Sequence, residues 1–203
     1  MNALNSNTTG EYNTAIGYGA GGSAGDLTNA TAIGNGAIAT ESNQVVIGNS
    51  DVTSIGGIVS WSILSDGRIK KNIEAKVPGL TFINKLQPVI YNLDFDAINK
   101  IQNTSNNNSA TMKAANASKN RIYTGFVAQD VKEAAQSIGY DFSGVDVPEN
   151  ESGLLRLRYS DFVAPLVKAV QELSDQNEKK DLKISSLENR VEQLEELVSK
   201  LLK

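Results

Sequence analysis

The chain contains no cysteine and no histidine. The first absence excludes disulfide staples, Cys/His zinc sites and thiol nucleophiles. The second removes the imidazole that most often activates a serine. A serine nucleophile in this chain has only Lys, Asp, Glu or a free N-terminus as its base. Basic blocks are missing as well. The net charge is −4 over 203 residues, and no stretch offers the basic face of a nucleic-acid reader. No run approaches the ~18 apolar residues that would span a bilayer. The opening MNALNSNTTG lacks the basic-then-apolar layout of a signal peptide and is expected to be a start inside a longer protein. With 40% apolar and 21% charged residues, one or two domains with a modest core are affordable. Nothing points to a metal or a cofactor.

Residues 1–64 are rich in Gly and Asn and poor in charge. Three units recur: Thr14-Ala15-Ile16-Gly17, Thr31-Ala32-Ile33-Gly34 and Val45-Val46-Ile47-Gly48. The steps between them are 17 and 14 residues. Each unit predicts one short strand closed by a glycine corner. Such turns bury their apolar side only by stacking, and terminal turns need covering. Three turns of this polarity are marginal alone, and several chains wrapped together would supply the missing core. A flexible Gly/Asn-rich linker is the plain alternative; the regular Ile before Gly argues against it. The units over residues 11–58 resemble the head repeats of trimeric adhesins. That resemblance implies stacked left-handed β-rolls from three chains. The clusters Gly17-Tyr18-Gly19 and Gly34-Asn35-Gly36 are not followed by an apolar helix, so they are not phosphate-binding loops. The run from Ile55 to Leu64 predicts an apolar strand leading to Ser65.

Residues 65–162 have the composition of an ordinary small globular unit. Pro78 opens a predicted helix carrying Leu80, Ile83 and Leu86, with Phe82 beside them, and Gln87-Pro88 ends it. Val89–Leu93 and Ile122–Val127 predict strands. Residues 101–120 are Asn/Ser/Ala-rich and predict a loop insertion. A helix with Val131, Ala134, Ala135 and Ile138 on one face closes at Gly139. Residues 140–153 predict a polar loop. Leu154–Tyr159 alternates like an edge strand, and Ser160 or Asp161 is placed to cap the next helix.

Residues 163–203 carry an apolar heptad. The a positions are Val163, Val170, Asn177, Ile184, Val191 and Val198, and the d positions are Leu166, Leu173, Lys180, Leu187, Leu194 and Leu201. Only the Asn177/Lys180 layer is polar, a device that fixes register. A helix of about 40 residues runs about 60 Å, longer than one small domain can cover. A parallel coiled coil is expected, rather than one amphipathic helix lying on its own domain. β-branched residues at a with Leu at d favour two strands, whereas the upstream repeats favour three.

Four segments in order resemble one family. They are Ser65-Asp66-Gly67-Arg68-Ile69-Lys70-Lys71-Asn72-Ile73, Leu86-Gln87-Pro88-Val89-Ile90-Tyr91, Gly125-Phe126-Val127-Ala128-Gln129-Asp130-Val131 and the stretch from Tyr159 to Leu173. Together, over roughly residues 65–180, they resemble the C-terminal intramolecular chaperone domain of phage tailspikes and tail fibres, the endosialidase type, peptidase S74. The same module occurs in a membrane-bound eukaryotic transcription factor. The resemblance implies a mixed fold: β-solenoid-like repeats over 1–64, a small α/β chaperone domain over 65–162 and a trimeric coiled coil over 163–203. It implies a homotrimer, and it settles the strand number at three. The partners would be the chain's own copies and its upstream part. The setting would be a virion tail fibre or spike, or a cell surface, with the chaperone part released. It further implies a cut between Leu64 and Ser65, with Ser65 as nucleophile and Lys70 as base.

The residues permit that chemistry. Lys70 can act as base only when unprotonated, which requires desolvation or a nearby positive charge; Arg68 and Lys71 are candidates for the charge. Ser65 Oγ can attack the carbonyl of its own preceding residue, and water then opens the ester. The oxyanion needs a donor, for which the backbone near Gly67 is the nearest suggestion. Asp66 is expected to shape the turn rather than take a proton. Without the resemblance, Ser65-Asp66-Gly67 is an ordinary turn and Lys70-Lys71 a solvated pair. Two other functions compete: a trimeric tip or stalk of a fibre that does not cleave, and a Ser-Lys protease acting in trans.

Overall fold

The computed structural model describes residues 2–101, 121–148 and 153–202. In chain order the elements are β1 (Thr14–Ile16), β2 (Gly21–Gly22), β3 (Thr31–Ile33), β4 (Ile38–Ala39) and β5 (Val45–Ile47), then a 3-10 turn at Gly67–Ile69. They continue with α1 (Leu80–Ile83), β6 (Val89–Tyr91), α2 (Phe95–Ile101), β7 (Tyr123–Gly125) and α3 (Ala128–Gln136). After the short β8 (Val145–Asp146) and β9 (Arg156–Leu157), a 3-10 turn at Tyr159–Phe162 leads into α4 (Val163–Leu201). Of the insertion expected at 101–120, Ile101 ends α2 and residues 102–120 lie outside the described residues. By contacts the chain divides into two units. The first is Met1–Lys71, Pro88–Val127 and Asp146–Arg156; the second is Asn72–Gln87, Ala128–Val145 and Leu157–Lys203.

In the first unit the three sequence repeats become a parallel sheet in the order β1-β3-β5. Its register follows the repeat: Thr14, Thr31 and Val45 stand side by side, as do Ile16, Ile33 and Ile47. β2 and β4 pair in parallel alongside. The interior is narrow and is filled by Ala20, Ala30, Ala32, Ala37 and Ala39. Alanine dominates so thin a coil, so little apolar area is buried and the turns depend on one another. The corners show why glycine recurs. A Cβ on Gly17 would collide with the carbonyl of Gly34, and one on Gly34 would lie 3.1 Å from Gly48 Cα. Asn29 and Asn43 occupy equivalent corners with φ of 57° and 59°, a conformation Asn tolerates. Their side chains also bond to each other at 2.9 Å.

Elsewhere in this unit β6 and β7 pair antiparallel, with Tyr91 opposite Tyr123 and their rings stacked at 5.7 Å. Asp94 Oδ1 accepts the Asp96 and Ala97 backbone N–H groups, each at 3.0 Å, and so starts α2. The strand expected over 55–64 is not formed. Ile55, Ile58, Val59, Trp61, Ile63 and Leu64 are all exposed in irregular chain. The composition suits a strand, but a strand exists only with a hydrogen-bonding neighbour, and this segment has none among the described residues.

The second unit is built on aromatic rings. Phe82 is fully buried; its ring centroid lies 4.9 Å from that of Phe142 and 5.3 Å from that of Tyr140. Phe142 in turn meets Phe162 edge-on at 4.8 Å. α3 buries Val131, Ala134 and Ala135. It ends at Gly139 (φ 66°), where Tyr140 N–H bonds back to Ala135 and Gly139 N–H to Gln136, the paired bonds of a Schellman stop. α1 spans four residues where a longer helix was expected. Its continuation tightens into i→i+3 bonds at Lys85 and Leu86 as Pro88 approaches. The 39-residue α4 is about 58 Å long. Its cap is Phe162, without a side-chain bond. Ser160 and Asp161, expected there, lie inside the preceding 3-10 turn, and Asp161 Oδ2 accepts from Ser143 Oγ at 2.8 Å.

Candidate functional site

The side chains of the 65–70 motif are held by one 3-10 turn. Asp66 is its N-cap: Oδ1 accepts the Arg68 backbone N–H at 2.8 Å. Ile69 N–H and Lys70 N–H close the turn onto the carbonyls of Asp66 and Gly67. Gly67 and Ile69 are the first and last residues of the turn, and Arg68 folds back over it. Arg68 Nε lies 3.0 Å from both carboxylate oxygens of Asp66, and Nη2 donates to Oδ2 at 2.6 Å. This fork is the preferred geometry of a guanidinium on a carboxylate. It holds Asp66 below the ordinary carboxylate range, first through the Arg68 side chain and then through its backbone N–H. Arg68 is raised correspondingly by Asp66.

Ser65 and Lys70 flank this turn. A 3-10 turn is compact, rising about 2 Å per residue, so a lysine stem spans its ends. Lys70 Nζ donates to Ser65 Oγ at 2.9 Å. The sequence pairing of hydroxyl and amine is therefore a direct contact. Leu64, on the other side of the peptide bond that precedes Ser65, is exposed. The whole stretch from Leu64 to Asn72 faces solvent in the single chain. Asn72 leaves the motif with φ 53°.

One expectation changes. Arg68 was a candidate to lower the proton affinity of Lys70, but its guanidinium is engaged by Asp66. Asp66 caps the turn. Among the described residues no cluster of acidic side chains could hold a metal ion, and no helix is long and apolar enough to cross a membrane.

The heptad residues lie along α4 as a continuous exposed stripe. Val170 is 64% exposed, Leu187 47% and Leu194 58%. The face that α4 turns to its own unit is a different one, carrying Pro165 and Ala169, which are buried. Glu172 belongs to that face. Its Oε2 accepts the Leu80 N–H at 2.8 Å, across 92 residues of sequence. Nothing local in the sequence marks this contact, since Glu172 looks like any solvated helix charge. The aromatic cluster was more accessible to reasoning: the chain has only five phenylalanines, and Phe142 stands in an otherwise polar loop.

Residues 65–140 match the family model described as chaperone of endosialidase, Peptidase_S74. No curated protein and no solved structure matches the chain. The match begins at Ser65, the hydroxyl held by Lys70, and takes in Phe82 and Tyr140 of the aromatic cluster. Residues 65–140 are thus a chaperone-of-endosialidase domain, of the Peptidase_S74 family.

Proposed function

We propose that this chain is an intramolecular chaperone that assembles the β-structured turns upstream of it as a trimer and then detaches by cutting between Leu64 and Ser65. The observation that carries the reading is the 2.9 Å contact of Lys70 Nζ with Ser65 Oγ, made by the first residue of the family match. In the cut, neutral Lys70 takes the hydroxyl proton as Ser65 Oγ attacks the Leu64 carbonyl carbon. The Leu64–Ser65 C–N bond breaks, the proton passes to the departing Ser65 amine, and Leu64 is left as an ester on Oγ. Water then hydrolyses the ester, giving a carboxylate at Leu64 and restoring the hydroxyl.

Two apolar surfaces support the trimer. The α4 heptad is uncovered by its own unit, and so is the row Ile16, Ile33 and Ile47 on the parallel sheet. Covering the heptad seam with copies removes apolar side chains from water at roughly 25 cal/mol per Å². The division of labour is then 1–64 as shaft end, 65–162 as chaperone and 163–203 as trimerising helix. Coiled-coil association raises the local concentration of the upstream turns, which otherwise pair slowly through non-local contacts. The same assembly supplies what the exposed site lacks, since burial favours the neutral amine. Cutting after assembly removes the nucleator and leaves a kinetically trapped product. The setting that suits such a product is a phage tail fibre or spike, or a cell-surface fibre.

The second reading is a non-cleaving trimeric tip. It is favoured by the exposure of the motif and by the engagement of Arg68 with Asp66. Intact mass spectrometry of freshly expressed protein, beside Ser65→Ala and Lys70→Ala, separates the two. A fragment beginning at Ser65 in the wild type alone is the expected result. One uncut mass in all three would overturn the cleavage and leave the tip.

A further inference from the structure

The geometry points to a fourth turn of the parallel sheet, formed by residues 48–61, whose strand Val59-Ser60-Trp61 docks on the open edge of β5 within the same chain. The segment is detached in the single chain, but it echoes the preceding turn at the corner and strand positions. Gly34-Asn35 is matched by Gly48-Asn49, Ile38-Ala39-Thr40 by Val52-Thr53-Ser54, and Val45-Val46-Ile47 by Val59-Ser60-Trp61. The step is again 14 residues, as from Thr31 to Val45, so the connection is long enough to close in the same way. The corner residues with positive φ, Asn29 and Asn43, are followed at that step by Gly57, which adopts the conformation at no steric cost. Ser60 falls in the inward column of Ala15, Ala32 and Val46, where a small side chain fits. Trp61 extends the outer row of Ile16, Ile33 and Ile47.

Two further observations agree. β5 ends the sheet order, and its hydrogen-bond pattern can be continued. Thr14 N–H bonds to Ala30 and Thr31 N–H to Gln44, each at 2.8 Å; the next such bond runs from Val45 N–H to the Ile58 carbonyl. Gly34 N–H bonds to Ile16 at 2.8 Å and Gly48 N–H to Ile33 at 2.7 Å; the next runs from Ser62 N–H to the Ile47 carbonyl. In addition, Asp51 follows the buried Ala37 at the 14-residue step, and its Oδ1 is buried without a hydrogen-bond partner among the described residues. A finished end does not leave a carboxylate oxygen so placed. A docked turn brings backbone N–H groups and the Ser60 hydroxyl to this end. The ladder stops there because Ser62 replaces the corner glycine, and no further turn can stack closely on its side chain. Trp61 then covers the last rung, the role a terminal repeat must fill. The single chain leaves the strand free because its apolar side would join the exposed isoleucine row and gain little burial until that row is covered.

The absence of cysteine makes the test direct. Val45→Cys with Val59→Cys places two thiols on neighbouring strands, on one side and within disulfide reach. Val45→Cys with Ser60→Cys places them on opposite sides. Mild oxidation of the assembled full chain should link the first pair within one chain, with a yield about tenfold above the second pair. Equal yields, no link, or a link joining two chains would each overturn the proposal. Fluorescence of Trp61, the one tryptophan, reports without cysteines. Its emission should be blue-shifted and protected from acrylamide, and Ser60→Asp, which puts a charge in the inward column, should abolish both. A water-like emission that Ser60→Asp leaves unchanged would overturn it. All these positions precede Ser65, so either readout is independent of whether the Leu64–Ser65 bond is cut.

Discussion

Gly79→Ala is a single added methyl whose effect can be worked out from the contacts. At a site open to solvent with ordinary φ, this change stabilises by about 0.4–1 kcal/mol, because the unfolded chain loses freedom. At Gly79 a Cβ would lie 2.8 Å from the Ala169 backbone N and 2.7 Å from Glu172 Oε2. The carboxylate can swing aside, but it then gives up the Leu80 N–H, a charged hydrogen bond of about 1.5–3 kcal/mol. The Ala169 backbone is inside α4 and cannot move aside, so α1 must lift, with an overpacking cost of about 1–3 kcal/mol. Subtracting the unfolded-state gain leaves a net loss of about 2–5 kcal/mol. For a chain of this size that lowers Tm by roughly 4–20 °C. The assay is thermal unfolding followed by far-UV circular dichroism, at equal protomer concentration because association also shifts Tm. Gly56→Ala is the control: a Cβ there meets nothing within 4 Å, and its Tm should stay level or rise slightly. A Gly79→Ala chain as stable as the parent would refute the docking of α1 on α4 through this glycine.

Other expectations follow from the same contacts. Phe82→Ala empties the centre of the aromatic cluster and should destabilise by about 3–5 kcal/mol, read as a lower urea midpoint; Phe82→Leu should recover part of it. Leu187→Asp together with Leu194→Asp should abolish the proposed self-association in sedimentation velocity and remove most of the α4 helicity, since both residues lie in the exposed stripe proposed as the seam. The Asp66 carboxyl is held low by Arg68, so the turn is supported above the ordinary carboxyl pKa and loses that support as pH falls through the depressed value. Arg68→Gln should raise the Asp66 titration toward the ordinary range in carbon-detected NMR. An unchanged titration would show that the fork is not formed in solution.

The elements that were legible share a property: each is set by neighbours close in sequence. The repeat Thr-Ala-Ile-Gly at 14 and 31, with Val-Val-Ile-Gly at 45, foretold the strands, and their register follows because like residues stack on like although the steps are 17 and 14 residues. Gly139 foretold the end of α3, because only a residue tolerant of positive φ completes that stop. The pairing of Ser65 with Lys70 came from the family resemblance, and one tight turn brings the two side chains into contact. What sequence could not decide depends on partners far along the chain. The run from Ile55 to Leu64 has the composition of a strand, yet a strand also needs a neighbouring edge, and composition does not say whether one is occupied. Arg68 was a plausible cation for Lys70 until the fork with Asp66 engaged its charge. Glu172 became a cap for Leu80 only when α1 met α4. Tertiary structure also decided which face of α4 the chain keeps for itself. Pro165 and Ala169 are buried within the unit, so the Val and Leu stripe stays exposed. Local spacing thus determined which elements form and where they stop. Long-range packing determined which polar groups are paired, which strands find an edge, and which apolar surfaces stay open.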